Sequence, residues 1–158
     1  MKTLKTLETL SARLLEIQRI NSAASVLSWD QETYMPAGGG VARADQIATL
    51  QGIAHQKLVS SDTERLLGRC IDLHSGLPLE EDGELWDESS RAQLREVWRD
   101  YDRAKKLPSD FVMRLSRECS LAQQVWVEAK AQSNYRSFLP NLRRVLSLKR
   151  EEAQLLGF

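Results

Sequence analysis

The sequence predicts an all-α protein, a bundle or set of stacked hairpins of about six helices. Three observations carry that reading. Apolar residues recur at steps of three and four, the spacing of one helix face. No segment sustains the period-two alternation of β-branched residues that a half-buried strand needs. Pro36, Pro78, Pro108 and Pro140 divide the chain into segments that each show helical periodicity, and proline breaks helix interiors and restrains the residue before it.

The first helix is expected from about Thr3 to about Thr33. Leu7, Leu10, Leu14 and Ile17 form its stripe, Ala24 and Leu27 extend it, and Met35-Pro36 stops it. The run Ser28–Gln46, "SWDQETYMPAGGGVARADQ", then turns polar at Asp30, Gln31, Glu32 and Thr33 before Pro36 and the glycines Gly38 to Gly40. Glycine permits a tight backbone reversal there. A second helix follows at once, with Ala44, Ile47, Leu50, Ala54 and Leu58 on its buried face. Ser61 or Asp62 is placed to cap a third, shorter helix reaching about Leu73. The stretch "HSGLPLEEDGELWDE" reads as a loop, with Gly76, Pro78 and Gly83.

A fourth helix is expected over about Asp87 to Lys106, with Leu94, Val97, Trp98 and Tyr101 inward and a row of arginines, Arg91, Arg95, Arg99 and Arg103, four apart. Acidic neighbours at i−3 or i−4 make that row a charge-laced exposed face. "LPSD" ends it, and Ser109 is read as the cap of helix five. There Val112, Leu115, Cys119, Ala122, Trp126 and Ala129 make a heptad seam, so Trp126 and Cys119 are expected in a helical core. The last helix starts near Ser137 or Pro140, carries Leu142, Val145, Leu146 and Leu156, and ends at Gly157.

The chain of 158 residues suffices for a sizeable core, and residues 1–158 are expected to form a single helical domain. Apolar content of 42% and charged content of 28% mark a folded, soluble protein. Lys+Arg and Asp+Glu both number 22. That balance gives no electrostatic reason to expect a nucleic acid or an anionic membrane as partner. Glu8, Arg13 and Glu16 interrupt any signal-peptide core, and no apolar stretch is long enough to span a bilayer, so the cytoplasm is the expected compartment.

The chemistry-bearing residues are sparse. His55 and His74 belong to different predicted segments, and neither lies in a His-Glu-x-x-His run. Cys70 and His74, four apart, would share a helix face and hold half of a metal site. A small apolar cysteine packed inward and a histidine near a helix C-terminus read more simply. Glu80, Glu81, Asp82, Glu84, Asp87 and Glu88 lack the alternate spacing of a calcium loop and read as a solvated stretch feeding charge into a helix N-terminus. The Gly38–Gly40 run lacks the Lys-Ser/Thr of a phosphate loop, and no Gly-x-Ser-x-Gly elbow occurs. Asp30 and Glu32 would project about 200° apart, so they do not share one proton. No catalytic, cofactor-binding or metal-binding residue is assigned.

Two blocks nevertheless resemble one family. "LSWDQETYMPAGGGVARADQIATLQGIAHQKL", Leu27 to Leu58, is similar to the N-terminal signature region of the carboxypeptidase Taq family. The stretch Asp100 to Phe158 agrees in the same register through Leu-Pro, Ser-x-x-x-x-x-x-Trp, Asn-Tyr…Phe-x-Pro and Leu-Gly-Phe. The resemblance implies an all-helical zinc metallocarboxypeptidase that releases C-terminal residues from peptides. It also implies that the zinc-binding His-Glu-x-x-His helix lies beyond the residues present here, so no ligand carries over and this chain is expected to be inactive alone. The expectation is a non-catalytic N-terminal wall or lid: a shortened form, a gene fragment or a short paralogue. Its partners would be the remaining catalytic part, the peptide substrate of the complete enzyme, and further copies of itself. In that setting the polar end Asp30–Thr33 would seek partners in the remaining part, or be solvated as a local cap. A stand-alone dimerisation module through the Val112–Ala129 seam, and a small metal-binding bundle using Cys70 and His74, are the alternatives.

Overall fold

The computed structural model describes residues 2–79 and 86–158. The element order is α1 (Lys2–Thr33), a short 3₁₀ turn (Ala37–Gly39), α2 (Gly40–Leu58), α3 (Ser61–Leu67), α4 (Glu88–Lys105), α5 (Ser109–Ala131) and α6 (Tyr135–Leu156). The architecture is all-α, as the periodicity predicts. Among the described residues the only β feature is an isolated bridge between Ile71 and Pro78.

Two compact units emerge, one from residues 1–18 and 55–106, the other from residues 19–54 and 107–158. The first is built on Leu10, Leu67, Cys70, Ile71, Leu94 and Tyr101, all buried, with Leu7, Leu14, Val97 and Trp98 packed against them. Burying each large aliphatic side chain contributes roughly 1.5–3 kcal/mol. Thr63 is fully buried at the edge of this core. Its hydroxyl donates to the Lys57 carbonyl at 2.7 Å and accepts from Arg13 Nε at 2.6 Å, so its polarity is met. Ser60 caps α3 by accepting from the Thr63 N–H, one residue earlier than the Ser61 or Asp62 expected.

Three further boundaries differ from the sequence reading. Helix α3 stops at Leu67, not near Leu73. The chain then turns through Gly76, whose φ of +72° is left-handed, and the Trp98 indole covers that turn while donating Nε1–H to Leu73 O at 3.0 Å. Ser109 is the first residue of α5, not its cap; Pro108 stands at the cap position with no side-chain bond. Helix α6 starts at Tyr135, capped by Asn134, and Pro140 lies inside it. A proline five residues into a helix forfeits one backbone bond near the end, a lighter penalty than in a helix centre.

In the second unit α2 and α5 run antiparallel. Gly40 faces Gln124, Asp45 meets Arg117 at 2.6 Å, and Gly52 faces Met113. Gly40, Ala44, Ala48 and Gly52 of α2 and Ser120 of α5 are buried, and the absence of a Cβ at Gly40 and Gly52 leaves room for the Gln124 and Met113 side chains. Helices α5 and α6 form a hairpin across Gln132–Asn134, with Ser133 at a left-handed φ of 50°. Arg114 reaches Glu151 at 2.6 Å across that hairpin.

Candidate functional site

The polar cluster closing α1 is the densest set of oriented polar groups in the second unit. Each member has a different job. Asp30 forms an ion pair with Arg43 of α2 at 2.6 Å, and the same guanidinium nitrogen donates to Leu27 O at 2.7 Å. Gln31 and Ser120 of α5 are reciprocally bonded: the Gln31 amide donates to Ser120 O at 3.0 Å, and Ser120 Oγ donates to Gln31 Oε1 at 2.7 Å. Glu32 accepts from Gln123 Nε2 at 2.6 Å. Thr33 Oγ1 returns a bond to Trp29 O.

Consecutive helix residues sweep about 100°, so 30, 31 and 32 face three directions. Asp30 therefore reaches α2 while Glu32 reaches α5, and the two carboxylates stay apart as their spacing predicts. The polar end finds its partners inside this unit. Glu32 and Thr33 remain exposed, and Thr33 bonds only within its own helix. Two of the three glycines have a steric reason, whereas Gly38 faces open space and none of the three takes a positive φ. A Cβ on Gly40 would collide with the Gln124 carboxamide, and one on Gly39 would press on Met35 at 3.0 Å.

A small cavity of about 230 Å³ sits beside this cluster, lined by Ser28, Gln31, Ile47, Ser116, Cys119 and Ser120 among others. Its one thiol is poorly activated: burial pushes Cys119 up, with the Lys149 charge opposing only in part. What the arrangement does chemically is fasten α1, α2 and α5 together.

The other candidates disperse. Cys70 is buried in the first unit's core, whereas His74 lies exposed in the turn beyond α3. They share no helix face, because α3 has already ended. His74 N–H donates to Asp72 Oδ1 at 2.9 Å, and that bond with the Ser75 hydroxyl holds the Asp72 carboxyl below its usual range. His55 is buried, and its Nε2–H donates to the Ala104 carbonyl at 3.0 Å, which can only accept. Among the described residues no three His, Cys, Asp or Glu side chains converge as metal ligands. These donors do not fit a catalytic zinc, which takes three protein ligands. Of the acidic run, Glu80, Glu81, Asp82 and Glu84 lie outside the described residues. Asp87 caps α4 by accepting from the Ser90 N–H at 2.7 Å.

Trp126 and Cys119 are not core residues in the sense expected. Trp126 is 43% exposed, and Cys119 is half-buried. The seam of α5 is only partly covered, because α2 takes one flank and α6 another. Sequence periodicity marks an apolar face but not how much of it a neighbour covers.

Among the described residues no helix is long and apolar enough to cross a membrane. The profile of the carboxypeptidase Taq (M32) metallopeptidases matches residues 9–157. Thermostable carboxypeptidase 1 of Thermus thermophilus is 34% identical over 147 residues, which are 90% of this chain and 28% of that protein. The solved Pyrococcus furiosus carboxypeptidase superposes with a TM-score of 0.68 at 30% identity, over 97% of this chain and 29% of its own. The crystal structure of BsuCP superposes with a TM-score of 0.85 over 98% of this chain and 29% of its own; at 21% identity it speaks to the fold alone. The chain thus spans less than a third of the relatives it matches, and throughout that span it belongs to the carboxypeptidase Taq (M32) metallopeptidase family.

Proposed function

We propose that these residues serve as a non-catalytic wall segment of a metallocarboxypeptidase, a cytoplasmic zinc enzyme that, when complete, hydrolyses C-terminal residues from peptides. The observation that carries the reading is the use made of the signature region. Its conspicuous polar residues, Asp30, Gln31, Glu32 and Arg43, are spent on joining helices, while the match to the relatives covers 28% of their length. Residues 1–158 act as one piece of scaffold in this reading, and the zinc ligands belong to the stretch that the match does not reach. The reading also expects the isolated chain to self-associate through α1 or the final helix; Leu15, Val26 and Trp29 are exposed on the first, Tyr135 and Leu146 on the last.

The test is release of a C-terminal amino acid from a blocked dipeptide. The 158-residue chain alone is expected to give none with zinc supplied. Mixed with the remaining portion of the Thermus thermophilus relative, it is expected to restore release above that portion alone. Chelator-sensitive release by the isolated chain would sink the reading.

A further inference from the structure

We draw no further inference here: the strongest candidate, the open apolar groove between α5 and α6 lined by Trp126, Phe138, Leu142 and Val145, carries nothing because nothing in the structure shows what covers it.

Discussion

Asp30 and Arg43 meet at 2.6 Å across the α1–α2 junction, and the Arg43 side chain is only 15% exposed. Arg43 also holds the Leu27 carbonyl, so one guanidinium ties the last turns of α1 to the first turn of α2. A partly buried, charge-assisted pair of this kind differs from a surface salt bridge, which contributes little. Arg43→Ala is expected to destabilise the fold by about 1.5–3 kcal/mol, measured by urea denaturation. Asp30→Asn should cost less, since an amide oxygen still accepts. If Asp30→Ala and Arg43→Ala prove independent in a double-mutant cycle, the pair has no coupling and the junction is held by packing alone.

Gly76 offers a test of the first unit. A side chain there meets two obstacles at once, the left-handed φ of +72° and the Trp98 ring, which would stand 2.6 Å from the new Cβ. The ring is fixed by its bond to Leu73 O and cannot easily yield. Gly76→Ala is expected to cost about 2–4 kcal/mol, combining backbone strain with overpacking. Thermal melting of the variant checks this, and an unchanged midpoint would mean that the turn is free to re-form around alanine.

Trp126→Ala is expected to cost about 1.5–2.5 kcal/mol, below the roughly 3–5 kcal/mol of a fully buried tryptophan. The indole is 43% exposed, and part of its contact is with the Lys130 ammonium. Guanidinium unfolding of the isolated chain gives the number. A loss above the range would show that α6 covers the ring more fully in solution.

The cap of α4 sets a pH response. Bonds from the Ser90 N–H and hydroxyl hold the Asp87 carboxyl below its ordinary value of 3.8. A depressed carboxylate contributes stability that is present above the unfolded value and is lost as pH falls through the folded one. Amide exchange at Ser90 and Arg91 should therefore quicken as pH drops below about 4, after correction for intrinsic rates. Asp87→Asn keeps the cap without the titration. Its exchange should not show that step; a step of equal size in the variant would assign the effect to another group.

The elements were legible because their signals are local. The stripe from Leu7 to Leu27 and the stop at Pro36 give α1 its end at Thr33. Asp87 announces α4 as an acidic residue before an apolar-periodic run. What was illegible depends on distant residues. Gln31 and Ser120 lie 89 positions apart, and Glu32 and Gln123 lie 91 apart. A polar helix end looks the same in one dimension whether its partners are water, a nearby helix or another part of the protein. The exposure of Trp126 was hidden for the same reason. Helix α3 ends early because Gly68, Gly76 and the Ile71–Pro78 bridge fold the following residues back, and the turn competes with a helical pattern that periodicity alone would extend.

The placement of the indoles gives the molecule two optical reporters. Trp86 and Trp98 belong to the first unit, and each donates its N–H to a backbone carbonyl, Leu79 O and Leu73 O respectively. Trp29 and Trp126 belong to the second and stand 58% and 43% in solvent. Emission from the first pair comes from rings packed against a core, and emission from the second from rings wetted by water. Replacing Trp29 and Trp126 with phenylalanine leaves a chain that glows only from the first unit; the converse pair of changes reports the second. Whether the two units melt as one cooperative body or in succession can thus be read from the colour of the light.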